Sequence, residues 1–338
     1  MDNTKMDNTK TILVTGGAGY IGSHTVRLLA GLDYHIVVLD NLVYGHKEAI
    51  VNDSVELVQG DIGDEDLLQQ LFKKHQFSAV LHFAAYAYVG ESVSDPHKYY
   101  VNNVARPLTL LKTMVDHQCL KFIFSSTCAT YGNPEYVPLD ESHPQNPVSP
   151  YGKSKFLLEQ MIRDYETAYG LKYVFLRYFN ASGASEDGLI GEDHNPETHL
   201  IPLILDAITG DRAAIKVFGT DYPTPDGTCV RDYIHVNDLG DAHIKALEYL
   251  NKGGESLACN LGTGFGYSVM EVIKAAEEVT GMPVPFELAE RRAGDATELV
   301  ANAKLALEKL GWDPRYKEIS AIIQTAWNWK TGTRKGRF

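Results

Sequence analysis

The 338-residue chain holds only four cysteines, Cys119, Cys128, Cys229 and Cys259, and no Cys-x-x-Cys. Scattered thiols supply neither a disulfide framework nor a cysteine zinc site, so the expectation is reduced thiols in a cytoplasmic protein. Positive charge is scarce as well, with a formal net charge of −13. Nucleic acid or an anionic membrane would need a basic face, so neither is an expected partner. No apolar run is long enough to cross a bilayer, and no signal-peptide pattern is found. Tandem repeats and low-complexity tracts are missing beyond the start. There, residues 1–10 read MDNTKMDNTK, a repeated polar pentapeptide expected to form a disordered tail.

What the chain does contain is an ordinary globular mixture, 44% hydrophobic and 22% charged, in more residues than one core usually serves. Short apolar runs suited to buried strands recur at TILVT (11–15), HIVVLD (35–40), VELVQ (55–59), AVLHFA (79–84), KFIFSS (121–126) and KYVFLRYF (172–179). Helical stretches near 64–75, 97–117 and 151–169 separate several of them. Strands alternating with helices predict an α/β protein with a Rossmann-like, doubly wound parallel sheet. After residue 180 the alternation stops at ASGASEDGLIGEDHNPETHLIP, too long for a mere connector and a candidate binding loop. Further on, RDYIHVNDLGDAHIKALEYL reads as strand into helix, and VMEVIKAAEEVTG and AKLALEKLGW have helical periodicity. The expected division is a nucleotide-binding domain over 11–180 with a returning segment at about 230–262. A smaller C-terminal α/β substrate-binding lobe takes about 181–229 and 263–338.

Gly16, Gly19 and Gly22 form G-x-x-G-x-x-G between the first strand and the first helix, and Asp40 ends the second strand. Glycines permit a tight turn and let a pyrophosphate approach the helix N-terminus, where unpaired N–H groups and the helix dipole favour an anion. An acidic residue in the place of Asp40 binds the adenine ribose hydroxyls and repels a 2′-phosphate. The pattern therefore predicts NAD as cofactor, not NADP. GTGFG (262–266) also has a phosphate-loop look, but so late in the chain it reads as a turn.

SPYGKSK (149–155) contains the one Tyr-x-x-x-Lys of the sequence, Tyr151 and Lys155. Four residues nearly complete a helical turn, so both side chains share a face. A tyrosine titrates near pH 10, and lowering that by about three units takes roughly 4 kcal/mol. One positive charge about 4 Å away supplies energy of that order at an effective dielectric near 20. With an oxidised dinucleotide nearby, Tyr151 suits removal of a hydroxyl proton as carbon-bound hydride leaves.

Taken together, TGGAGYIGSH, LDN, GDI, HFAA, VGESV, YYVNN, FIFSST, SPYGKSK, LRYFN, GEDH, DYPTPDGTCVRDYIHVNDL and RRAGD resemble the UDP-glucose 4-epimerases. These form a family of the extended short-chain dehydrogenase/reductase superfamily, and the similarity runs from about residue 11 to 330. The resemblance implies reversible interconversion of UDP-galactose and UDP-glucose through a 4-keto sugar, with tightly held NAD. It makes Tyr151 the base, Lys155 the residue that positions the nicotinamide ribose and tunes Tyr151, and Thr127 the hydroxyl bonded to the reacting oxygen. Beside the three glycines, cofactor contacts carry over to Tyr20, Ile21, Asp40, Asn41, Asp61, Ile62, Phe83, Ala84, Asn102, Tyr151, Lys155 and Phe179. UDP-sugar contacts carry over to Thr127, Tyr151, Tyr178, Asn180, His199, Leu200, Phe218, Arg231, Arg292, Asp295 and Leu299. Two arginines suit a diphosphate, because a planar guanidinium grips phosphate oxygens in pairs. In the family, helices such as 97–117 and 151–169 build a dimer interface, so a homodimer is expected.

Three positions depart from the best-known pattern. Ala87 replaces a lysine near the pyrophosphate. His199 replaces a frequent asparagine; no metal is expected, the minor alternative being His199 as a ligand with Asp193 and His194. Leu299 stands where a bulky tyrosine restricts some relatives, and its intermediate size predicts some turnover of UDP-N-acetylglucosamine. A 4,6-dehydratase would need an Asp-Glu pair after Thr127, where this chain has Cys128 and Ala129. UDP-glucuronate epimerisation stays open as the nearest enzymatic rival. A non-enzymatic NAD-sensing regulator is the remote one, since such proteins usually lose the Tyr or the Lys kept here.

Overall fold

The computed structural model describes residues 10–292 and 294–338, so the repeat at 1–9 lies outside the described residues. The chain opens with β1 (Thr11–Thr15), α1 (Tyr20–Ala30), β2 (His35–Asp40), β3 (Glu56–Gln59), α2 (Glu65–His75) and β4 (Ala79–His82). Short helices α3 (Val89–Ser94) and α4 (Pro96–Tyr100) lead through a π-helical turn, Val101–Ala105, into α5 (Arg106–Asp116). Then come β5 (Lys121–Thr127), α6 (Pro150–Tyr169), β6 (Lys172–Tyr178), β7 (Asn180–Ser182), α7 (Leu200–Thr209), β8 (Ile215–Phe218) and β9 (Val230–His235). The remainder is α8 (Val236–Asn251), β10 (Leu257–Leu261), β11 (Gly266–Ser268), α9 (Val269–Thr280), β12 (Phe286–Ala289), β13 (Glu298–Leu299), α10 (Lys304–Leu310) and α11 (Ile319–Thr331).

Seven strands form one parallel sheet in the order β10-β6-β5-β4-β1-β2-β3. The direction of winding reverses between β1 and β4, and in such sheets ligands bind outside the carboxyl ends of the strands at that point. Register places Thr15 beside His82 across the reversal, so the loops after both strands emerge together. The strands are apolar on both faces because helices cover both. Leu13, Val37, Val80, Phe122 and Phe175 join one core with Leu68, Leu71 and Phe72 of α2, Leu110 and Met114 of α5, and Leu158 and Ile162 of α6.

The helices start where the sequence supplies caps. The Asp64 side chain accepts from the Leu67 N–H to begin α2, and Ser149 accepts from Gly152 to begin α6, with Pro150 in its first turn. The predicted helix over 97–117 is broken by the π-helical turn. Pro107 has no N–H to bond back one turn and its ring crowds the carbonyl four residues earlier, which accounts for the widening just before it.

Contacts divide the chain into two compact units. The first holds residues 10–130, 149–176 and 240–258; the second holds 131–148, 177–239 and 259–338. Residues 131–148, 177–180, 230–239 and 259–262 thus group with the second unit, where the sequence division places them with the first. In the second unit, β9 is flanked by β11 and β13 and also pairs with β7, while β8 pairs with β12. Its core gathers Ile201, Ile204 and Leu205 of α7, Val272 and Ile273 of α9, and Ile319, Ile322 and Ile323 of α11. Among the described residues no helix is long and apolar enough to cross a membrane.

Candidate active site

In the first unit an open cleft lies at the sheet's reversal point, lined by nine of the predicted cofactor residues. These are Gly16, Gly19, Asp40, Asn41, Asp61, Ile62, Phe83, Ala84 and Asn102. The glycines are required by close approaches. Gly16 has φ +73°, and a Cβ there would stand 2.5 Å from the Ala84 nitrogen. A Cβ on Gly22 would stand 2.2 Å from the Gly16 carbonyl oxygen, so the first turn of α1 packs directly on the loop. Gly19, at the N-cap of α1, has no side chain to satisfy the helix's first N–H groups, leaving them for an anion.

Asp40 is 7% exposed, and its carboxylate accepts N–H bonds from Ala18 (3.0 Å) and Leu42 (2.9 Å). Burial raises its pKa, and those two backbone donors work against the rise. Across the cleft, Asn41 Nδ2 donates to Asp61 (3.2 Å), which also pairs with Arg106 at 2.9 Å. Arg106 donates to Asn102 (3.0 Å), Asn102 to Asn103 (3.0 Å), and Asn103 to Ser154 (3.1 Å); Ser154 then donates to the Tyr151 carbonyl (2.7 Å). A continuous polar chain thus links the cleft to the start of α6. Asn103, Arg106 and Ser154 were missed in the sequence, although YYVNN and SPYGKSK contain two of them. Although Ala87 leaves no cation at its own position, Lys98 lies 4.4 Å over the Tyr86 ring and 3.0 Å from the Tyr44 hydroxyl. Both tyrosines line the cleft.

Tyr151 and Lys155 are 7% and 3% exposed on α6. Lys155 Nζ donates to the Ser125 carbonyl (2.8 Å) and sits 4.8 Å over the Phe124 ring. Burial pulls its pKa down to about 7, with Glu159 opposing. Glu159 is itself fully buried and accepts from Ser126 Oγ (2.7 Å), a supporting contact the sequence reading did not identify. Thr127 ends β5, 6% exposed; its Oγ1 accepts from the Ala129 N–H (3.1 Å), so its own O–H remains for donation.

Lys155 carries a pH signature. Its folded pKa of about 7 lies below the unfolded value of roughly 10.4, so between those limits the unfolded chain holds a proton that the folded chain has lost. The penalty is complete below pH 7 and is relieved as pH rises, a slope of up to about 1.4 kcal/mol per pH unit. Urea unfolding of cofactor-free protein at pH 7, 8 and 9 is expected to show stability that rises more steeply than in Lys155→Met. Parallel curves would refute the assignment.

Of the predicted UDP-sugar residues, Thr127 and Tyr151 lie in the first unit and the other nine in the second, as does Phe179, predicted for the cofactor. Arg231 on β9 stands 3.6 Å from Asp295 and is in register with Leu299 of β13. The Arg292 guanidinium lies 4.0 Å over the Phe218 ring. Asn180 pairs with Tyr233, two residues along β9 from Arg231, and follows Tyr178 and Phe179 in the chain. His199 and Leu200 begin α7. The GTGFG loop is a turn between β10 and β11 whose Thr263 and Gly264 N–H groups already bond Asp232 (2.9 and 3.1 Å), which leaves them unavailable to a phosphate. Asp193 does not join His199: it accepts from the Phe338 N–H (3.0 Å), while His199 Nδ1 faces Glu192 at 2.6 Å. Burial opposes a charge on His199, but Glu192 and Glu197 outweigh it and hold the imidazole pKa up at about 10.

The sequence profile of the NAD dependent epimerase/dehydratase family matches residues 12–262. The chain belongs to this family. A relative, the UDP-glucose 4-epimerase of Rhizobium meliloti (strain 1021), is 54% identical over 96% of this chain and 98% of its own. The crystal structure of UDP-glucose 4-epimerase from Brucella ovis in complex with NAD superposes with TM-score 0.92 at 51% identity, covering 94% of this chain and 97% of that one. The enzyme from Bifidobacterium longum in complex with NAD+ and UDP gives TM-score 0.91 at 40% identity, covering 97% and 100%. In this member of the epimerase/dehydratase family, the matched segment spans the glycine turn, the cleft and the Tyr151–Lys155 helix.

Proposed function

We propose that the chain catalyses the reversible 4-epimerisation of UDP-galactose and UDP-glucose with tightly held NAD. The observation that carries this reading is the buried Tyr151–Lys155 pair on the first turns of α6, in the same compact unit as a glycine-floored cleft. The cleft fits a dinucleotide: Cβ atoms at Gly16 and Gly22 would fill it or its floor, α1 begins uncapped, and Asp40 offers a carboxylate for ribose hydroxyls. When bound, NAD would be held by Gly16, Gly19, Asp40 and the other cleft residues and would supply a reversible hydride acceptor for the sugar C4.

The protein's part is to manage one proton and to hold the sugar nucleotide. Tyr151 Oη removes the C4 hydroxyl proton and later gives it back, so no net acid or base is consumed. Thr127 donates its O–H to the same oxygen as negative charge develops there. Lys155, buried and reluctant to stay charged alone, gains most from a phenolate partner, and that mutual preference lowers the cost of ionising Tyr151. Arg231 and Arg292 bind the diphosphate, with Phe218, Asp295, Asn180, Tyr178, His199 and Leu200 around the nucleotide and sugar.

Leu299 favours a second substrate. Its side chain is shorter than a tyrosine and leaves room for an acetamido group. In a panel of UDP-galactose, UDP-N-acetylglucosamine and UDP-glucuronate, the first is expected to turn over fastest, the second measurably and the third not. Silence with UDP-galactose and turnover of UDP-glucuronate would replace the reading by its nearest rival.

Two further features complete it. Val93 on α3, Leu108 on α5 and Leu157 and Tyr169 on α6 are exposed apolar side chains. They favour a homodimer, with a solution mass twice the chain's 37.5 kDa; sedimentation at micromolar concentration giving a single-chain mass would count against it. The four free cysteines favour a cytoplasmic setting.

A further inference from the structure

We propose that Glu192, His194, Glu197 and His199 form a structural zinc(II) site immediately ahead of α7. Two histidines and two glutamates fall within eight residues in the spacing E-x-H-x-x-E-x-H. One donor atom from each lies within 4.8 Å of all the others. Zinc bonds to nitrogen and oxygen of about 2.0–2.1 Å in a tetrahedron put neighbouring donors about 3.3 Å apart. The observed separations bracket that value. Glu192 Oε1 is 3.0 Å from His194 Nδ1 and 2.6 Å from His199 Nδ1, while Glu197 Oε1 is 3.3 Å from His199 Nδ1 and Glu197 Oε2 is 3.8 Å from His194 Nδ1.

The donor chemistry selects the metal. Calcium and magnesium take all-oxygen shells, whereas two imidazole nitrogens with two carboxylates suit zinc. Two carboxylates and one dication also cancel in charge, with both imidazoles neutral. Glu192 is 8% exposed, and a buried carboxylate requires compensation, supplied by the His199 imidazole at 2.6 Å when no ion is bound and by the dication when one is. Four protein donors leave no open position, so the site is structural and its ion takes no part in a reaction.

The surroundings orient these donors. The Glu192 carbonyl accepts from Trp329 Nε1 (3.0 Å), and a Cβ on Gly191 would touch the Trp329 ring at 2.5 Å, so the indole fixes the backbone beside the first ligand. The N–H groups of Thr198 and His199 donate to Glu197 Oε1 at 2.6 and 2.8 Å. Such supporting contacts hold ligands in place and are part of a metal site's construction. Closing 192–199 around one ion pins the start of α7, where the proposed function sets His199 and Leu200 around the sugar nucleotide, and zinc binding is read without turnover.

The full-length protein, purified without chelator, is expected to retain one zinc per chain by elemental analysis. After chelator treatment it is expected to take up one equivalent of zinc chloride, with a rise in melting temperature. Glu192→Gln and His199→Asn lose both responses. Glu56→Gln keeps them; it alters the other metal-capable group, His35, Glu56 and His75. Cobalt(II) in the unmutated chain gives the intense visible bands of tetrahedral coordination, a reading that does not rely on a variant folding. No retained zinc together with a weak octahedral cobalt spectrum would overturn the proposal, as would equal zinc uptake by Glu192→Gln and His199→Asn.

Discussion

Tyr151→Phe is expected to lower kcat for UDP-galactose by about 1,000-fold or more, with KM and NAD content close to those of the parent. Loss of a positioned general base typically costs about 10² to 10⁴ in rate, and about 1,000-fold corresponds to roughly 4 kcal/mol. Only the phenolic oxygen is removed, so the packing of a side chain 7% exposed is retained. The Ser149 cap and the Ser154 bond to the Tyr151 carbonyl involve no phenol, so α6 should start as before. An effect on kcat without one on KM marks an interaction made only as the proton moves. A variant within a few-fold of the parent would remove Tyr151 from the chemistry and leave the role to a water molecule or another group.

Gly22→Ala is the stability counterpart, expected to cost about 3 kcal/mol and to abolish NAD retention. Inside a helix, alanine is better than glycine by about 1 kcal/mol, so propensity alone predicts stabilisation. Sterics reverse the sign. The new Cβ would stand 2.2 Å from the Gly16 carbonyl oxygen and 2.8 Å from the Gly17 Cα, both backbone atoms that cannot rotate away. Gly16 cannot retreat either, being held at φ +73° against Ala84. Gly170→Ala is the control: its φ is +75° but nothing lies within 4 Å. It should lose only about 1–2 kcal/mol of left-handed strain and keep its cofactor. Thermal melts and the nucleotide absorbance of purified protein distinguish the two. Gly22→Ala at parental stability with bound NAD would contradict the packing account.

The parts of the fold that were legible in the sequence are those in which a local pattern and the tertiary environment agree. The strands TILVT and HIVVLD match β1 and β2 at both ends because buried parallel strands are continuously apolar and stop at Gly16 and Asn41. Short β7, β11 and β13 carry no period of their own and exist because β9 offers edges to pair with. Helix α11 was passed over, since ISAIIQTAWNWK is apolar on more than one side and shows little stripe. In the site, glycines, Asp40 and the Tyr-x-x-x-Lys pair announce themselves because their chemistry depends on spacing. The chain from Asp61 through Arg106 and Asn103 to Ser154 does not, because its members come from three separate segments that meet only in the folded protein. The His199 grouping shows the same limit: Asp193 is nearer in sequence than Glu192, yet alternation along the loop turns it toward Phe338.

The account's central claim is that the sugar's own C4 hydrogen leaves and returns within one protein, while Tyr151 handles only the hydroxyl proton. Incubating the purified protein with UDP-galactose in D2O, without added NAD, tests this directly by NMR of the product. Formation of UDP-glucose carrying protium at C4 is the predicted result; deuterium at C4, or no conversion by NAD-loaded protein, would contradict it.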